Sequence, residues 1–180
     1  MGSPSKEEKI LNLIFENSPL RQWHFNEIVE EAKVNRSVVN KWLKRYVKEG
    51  LLKKIKEKRK FSYFSAGKEN IVYQTRKRIY ALEKIYQSGL IEHLINLKDV
   101  KTAIIFGSMA RGDWYKDSDI DLFIYGDSRD IEKNKYEAKL KREIEIHIFK
   151  NKEEIKNVKT GLINNVINGY LIKGEIQDLI

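Results

Sequence analysis

The sequence predicts an α+β protein in two modules, and both its charge distribution and its apolar period point that way. Residues 1–66 hold 15 Lys and Arg against 8 Asp and Glu, whereas residues 101–180 hold 14 of each. The formal net charge of +9 therefore sits mainly in the N-terminal part, which suits a module facing a polyanion. Apolar residues recur with helical spacing through the first fifty positions and alternate with period two in the later segments. The predicted boundaries are 1–66 for the basic module, 67–98 for a helical connector and 99–180 for the second module.

In the basic module a first helix over Lys6–Glu16 buries Ile10, Leu11, Ile14 and Phe15. Ser5-Lys6-Glu7-Glu8 reads as the capping box that opens it. Pro19 interrupts, and a second helix over 25–33 buries Phe25, Ile28, Val29 and Ala32. Asn35 caps a third helix with an inner face of Val39, Trp42, Leu43, Tyr46 and Val47, and Gly50 closes it with a left-handed cap. Its outer face holds Arg36, Ser37, Asn40, Lys41, Lys44 and Lys48, donors that reach phosphates and base edges. A solvated face on a module for protein contacts accounts for the same residues. A hairpin over 51–55 and 60–64 follows, with a basic tip at Lys56, Glu57, Lys58 and Arg59.

The connector reads as a long helix over 70–87 and a shorter one over 90–97. Tyr73, Tyr80 and Tyr86 at near-helical spacing serve packing or the seam of a homodimer. In the second module, 102–106 and 120–125 read as buried strands, and 142–149 alternates strictly. Two short helices over 152–158 and 161–168 pack on the sheet, with 169–172 closing it.

Composition excludes several classes. With 41% hydrophobic residues the chain can bury a core. The absence of Cys removes disulfides, Cys-zinc sites and thiol catalysis, and fits a reducing cytoplasm. No apolar run approaches a membrane span, and the N-terminus lacks a signal peptide's apolar core, so no membrane role is expected.

The chemistry concentrates between Gly107 and Ile124. Gly107-Ser108 forms a turn after one apolar strand, and Asp119 and Asp121 alternate with Ile120 and Leu122 at the next, so both carboxylates point the same way. Two adjacent carboxylates repel and call for a cation such as Mg²⁺, held together with substrate phosphates. Backbone N–H groups at a tight turn entering a helix favour phosphate. A chance match to Gly-Ser, ten residues, then Asp-x-Asp has odds on the order of one in a few hundred at average usage. The combination suggests a site for a metal-bound nucleotide. A solvated acidic loop on an edge hairpin is the plainer reading.

At Gly107-Ser108, Ala110-Arg111-Gly112 and Ser118-Asp119-Ile120-Asp121-Leu122 the chain resembles the nucleotidyltransferase superfamily related to DNA polymerase β, in its minimal branch. The resemblance implies a small mixed sheet with flanking helices, two Mg²⁺ ions and transfer of a nucleoside monophosphate from an NTP, with ATP as the expected donor of AMP. It also implies a third carboxylate on a later strand, for which Ile144-Glu145-Ile146-His147 aligns best, giving Glu145 where the family usually has Asp. By that likeness Asp119 and Asp121 bridge the ions, Glu145 holds the ion at the acceptor hydroxyl, and Gly107 and Ser108 hold the outgoing phosphates. Arg111 either adds charge near the triphosphate or pairs with Asp113. His147 shares the face of Glu145, where a lone strand His is more often structural.

Residues 5–66 resemble a winged helix-turn-helix, most closely at Lys-Arg-Tyr-Val-Lys-Glu-Gly-Leu-Leu over 44–52. That likeness places the third helix in a major groove of double-stranded DNA, or against RNA, through Arg36, Ser37, Asn40, Lys41 and Lys44, with Lys58 and Arg59 of the wing on backbone. The minimal branch includes antitoxins that modify a HEPN-type toxin on tyrosine, so a protein acceptor is expected beside an RNA one. The alternative is a DNA-binding regulator whose nucleotidyltransferase-like domain senses nucleotide or is inactive.

Overall fold

The computed structural model describes residues 3–179. It divides into two compact units, Met1–Lys77 and Arg78–Ile180.

In the first unit, α1 (Lys6–Glu16) opens on the predicted capping box: the Ser5 N–H donates to Glu8 Oε2 at 2.7 Å and the Glu8 N–H to Ser5 Oγ at 3.1 Å. The helix buries Ile10, Leu11, Ile14 and Phe15. Next comes α2 (Phe25–Ala32), which ends one residue early because Lys33 turns left-handed at φ 52° and donates to the Val29 and Glu30 carbonyls. Only Ile28 and Ala32 of its expected inner face are fully buried, Phe25 and Val29 being half-buried. Then α3 (Arg36–Lys48) buries Val39, Leu43 and Tyr46. Asn35 begins it without a side-chain cap, contrary to expectation. The Val38 N–H, a donor such a cap would use, goes instead to the Asn35 carbonyl at 3.0 Å. Gly50 closes α3 at φ 78°, with Gly50 N–H on the Val47 carbonyl and Leu51 N–H on that of Tyr46, the paired bonds of a left-handed cap.

Strands β1 (Leu52–Ile55) and β2 (Tyr63–Ala66) pair antiparallel, Leu52 opposite Ala66 and Ile55 opposite Tyr63. The second strand thus starts later than the pattern over 60–64 suggests. Phe64 exchanges both backbone hydrogen bonds with Trp23 at 2.8 Å, and both rings are buried. That non-local pairing pins the strand and leaves Lys60 and Phe61 in the loop, exposed.

Helix α4 (Ile71–Ser88) contains the division between units. Of its tyrosines, Tyr73 meets Phe15 edge-on, Tyr80 stacks on Trp114 at 6.3 Å, and Tyr86 is exposed. The second unit continues with α5 (Leu90–Asn96), β3 (Val100–Phe106), α6 (Gly107–Arg111), β4 (Ile120–Gly126), α7 (Lys133–Leu140) and β5 (Ile144–Phe149). It ends with α8 (Lys152–Lys156), α9 (Thr160–Ile167), β6 (Tyr170–Lys173) and a 3₁₀ turn over Ile176–Leu179. Among the described residues these strands make one mixed sheet in the order β5-β4-β3-β6, with β4 and β5 parallel and the other pairs antiparallel. A parallel pair needs a crossover, and α7 lies within it. The sequence pattern gave no sign of α7, since Tyr136 is its one fully buried residue.

Register decides what shares a face. Phe106 sits opposite Asp121, and Asp121 opposite Glu145. Ile104, Phe106, Phe123 and Tyr125 therefore form one surface, covered by Ile155 of α8 and Val166 of α9 with Phe149, Leu162 and Ile163 packed around them. At the start of β4 that same surface turns polar. No described helix is long and apolar enough to cross a membrane.

Candidate active site

The polar end of the sheet is built at the turn from β3 into α6. Gly107 stands there at φ 68°. A Cβ on it would lie 1.8 Å from Asp121 Oδ2 and 2.6 Å from its Cγ, so only glycine lets this carboxylate lie against the turn. Ser108 is half-buried and its carbonyl accepts from the Gly112 N–H at 2.9 Å, closing the short helix.

Asp121 and Glu145 face one another across the parallel β4–β5 pair, and His147 follows on the same face. One donor atom from each of the three lies within 4.8 Å of the others, and His147 Nε2 is 3.5 Å from Glu145 Oε1. The His147 ring tilts against Phe106 at 5.3 Å between centroids. Burial holds the half-buried Asp121 carboxyl above its ordinary pKa, and the negative charge of Glu145 adds to that. His147 opposes the rise, Asp119 adds to it, and Arg111 opposes it. Such a carboxyl gains from a cation. Two carboxylates and an imidazole at this separation are a donor set that fits a divalent ion.

Asp119 is exposed and does not join that group. It lines a cleft of about 430 Å³ with Lys116, Asp117, Ser118, Lys141, Arg142 and Glu143. Of the two roles open to Arg111, the structure shows the pair with Asp113, Nε to Oδ2 3.1 Å.

Arg142 escaped the sequence reading. Its Nη1 donates to the carbonyls of Tyr115 at 2.6 Å, Lys116 at 2.8 Å and Ser118 at 2.9 Å. Its guanidinium lies 5.1 Å from the ring centroid of buried Trp114. One side chain thus ties down the loop that delivers Asp119 and Asp121. The available signal was Trp114, a large ring in a polar loop that needs cover.

In the first unit, Arg36, Ser37, Asn40, Lys41 and Lys44 are all exposed on the outer face of α3. Arg36, Ser37 and Asn40 line a groove of about 470 Å³ with Phe25, Lys54, Ser62 and Phe64. Arg36 is steadied by Asn26 Oδ1 at 2.9 Å and by the Phe25 ring. Lys58 and Arg59 are exposed in the hairpin loop, where Arg59 stands at φ 62°.

Comparison with known proteins gives one family. Residues 89–176 match the family described as Polymerase beta, Nucleotidyltransferase, a span running from α5 through β6. The mixed four-stranded sheet is consistent with that fold. No curated protein matches the chain. Among solved structures, a toxin-antitoxin crystallised with AMP-PNP is similar over 57% of this chain and 77% of that chain, at 16% identity and a TM-score of 0.34.

Proposed function

We propose that the second unit is a divalent-metal-dependent nucleotidyltransferase that moves a nucleoside monophosphate, AMP from ATP, onto a hydroxyl of a protein or RNA acceptor. The observation that carries this is the approach of Asp121 and Glu145 across adjacent strands, beside the Gly107-Ser108 turn, inside the span that matches the family. When bound, Mg²⁺ ions supply charge neutralisation at the attacking and leaving oxygens of an in-line displacement. Asp121 and Glu145 would hold them, joined by Asp119 from the cleft side. Ser108 and the turn backbone grip the outgoing phosphates, and Arg111 contributes positive charge close to Asp121. Glu145, exposed, is placed to accept the acceptor's proton as its oxygen bonds to the α-phosphorus and pyrophosphate departs.

The first unit, on this reading, is a winged helix-turn-helix. Its exposed α3 donors and hairpin cations bind nucleic acid, and the α3 groove admits backbone or base edges. The acceptor favoured by the family resemblance is a tyrosine of a HEPN-type partner toxin.

Incubating the protein with Mg²⁺, α-labelled ATP and cell lysate tests the reading. Label should appear on a protein or RNA and vanish in Asp121→Ala and Asp119→Ala. The exposure of Asp119 outside the donor group favours one second reading, a DNA-binding regulator that senses nucleotide without transferring it. Nucleotide bound with no label on any acceptor would select that regulator instead.

A further inference from the structure

We infer that His147 is a direct ligand in this centre, making it a mixed nitrogen and oxygen site that prefers a first-row transition ion such as Co²⁺ or Zn²⁺ to Mg²⁺. The inference deepens the nucleotidyltransferase reading and rests on it for what the ion does. Three observations support it. His147 lies on the face of Asp121 and Glu145 by strand register, so its ring points where theirs do. Its donor nitrogen lies within the same 4.8 Å group as theirs, whereas Asp119 does not. Two ligands of one ion with bonds of about 2.0–2.2 Å sit roughly 3–4 Å apart, so small rotations bring all three onto a single ion. Lastly, the ring rests on Phe106, the residue before Gly107, and its side chain keeps only 25% exposure. It enters the site already ordered instead of sweeping through solvent.

Imidazole separates the metals. Mg²⁺ takes oxygen donors and sheds water reluctantly, while the affinity of a nitrogen-containing site rises along the first row toward Co²⁺ and Zn²⁺. The competing role for His147 is that of a counter-cation to Glu145, 3.5 Å away. The two roles predict opposite signs. Deleting a ligand weakens ion binding, whereas deleting a competing positive charge strengthens it.

The test uses the full chain without nucleotide, titrated with CoCl₂ and with MgCl₂ by calorimetry, and with CoCl₂ by the visible bands that report nitrogen ligation. Wild type should bind Co²⁺ at least tenfold more tightly than Mg²⁺, and His147→Ala should lose about tenfold or more for Co²⁺ with Mg²⁺ unchanged. His147→Gln, which retains bulk against Phe106, should show the same loss with the fold intact by circular dichroism. Asp121→Asn should weaken both ions, locating the binding here and not at His24 or His93. Co²⁺ affinity unchanged or raised in both His147 variants overturns the inference, even if wild type transfers label with Mg²⁺. Co²⁺ held through His147 with no label on any acceptor leaves the inference standing and removes the transferase reading.

Discussion

The outer face of α3 and the start of β4 both gather charge, but they do so by opposite means. On α3 the placement is local: Arg36, Asn40 and Lys44 follow one another at helical spacing, and each stays exposed. At the sheet the placement is non-local. Asp121 reaches Glu145 only through the β4–β5 register, and it reaches the turn only because Gly107 has no side chain. Like charges spread over a helix tolerate substitution, while a carboxylate pressed between a strand and a backbone turn does not. The difference says where substitution has room.

Gly107→Ala should break the comparison most sharply. The new methyl collides with the Asp121 carboxylate, and φ 68° is costly for alanine. Roughly 1–3 kcal/mol of strain should appear in urea unfolding. Displacing Asp121 by even an ångström should reduce label transfer by about a hundredfold. Wild-type transfer in this variant would mean the turn is not part of the machinery.

Arg142→Ala comes next, since it releases three carbonyls of the loop ahead of Asp119. A loss of roughly 1–2 kcal/mol in stability is expected for charge-assisted bonds that are partly solvent-exposed. Cation affinity should fall as Asp119 and Asp121 lose their fixed approach. Arg142→Lys should recover little, because one ammonium does not reproduce the guanidinium that lies by Trp114. Full affinity in both variants would reduce Arg142 to a bystander.

These two residues also mark what the sequence could and could not yield. The facing of Asp121 was legible because alternation within one strand is a local property, whereas Asp119 falls just before β4 and apart from the donor group. Val39, Leu43 and Tyr46 of the inner face of α3, its Gly50 closure and the Ser5 capping box were legible for the same reason, while Trp42 and Val47, expected on that face, stay half-buried. The start of β2 was not, because Trp23, forty residues earlier, decides it by pairing with Phe64. Helix α7 was not, because a Lys-rich segment with one buried tyrosine has no apolar stripe to read. His147 lies two residues after Glu145 in the sequence, yet its place with Asp121 depends on register between strands that only the crossover fixes.

On the helix side, if the first unit binds duplex DNA as proposed, Lys44→Glu should lower that affinity by about tenfold and flatten its salt dependence, because an exposed cation is replaced by an anion. Cation binding at Asp121 should be unaffected. Binding that ignores salt from the outset would remove the polyanion face altogether.

The raised pKa of Asp121 gives the sheet side a matching pH signature. A carboxyl whose pKa is higher when folded adds stability that is complete below its ordinary value and is lost as pH rises through the raised one. Cation affinity runs the other way, falling as the pH drops through that raised value, because the ion needs the carboxylate. Without cations, Asp121→Asn should therefore stabilise the protein at neutral pH in thermal melts. A melting temperature lower than wild type would contradict the electrostatics of the site.

The smallest effect sharpens the contrast between local and non-local placement. Ser5→Ala removes the hydroxyl that accepts from the Glu8 N–H, leaving the Glu8 carboxylate on the Ser5 N–H as half of the capping box. About 1 kcal/mol of stability should go with it, read from urea unfolding. Nothing beyond the first turn of α1 depends on that hydroxyl, so label transfer, DNA affinity and cation affinity should match wild type. Gly107→Ala, an equally small chemical change, should alter transfer and cation binding together. If Ser5→Ala disturbs either of those, the capped helix is coupled to the site and local placement does not confine its consequences.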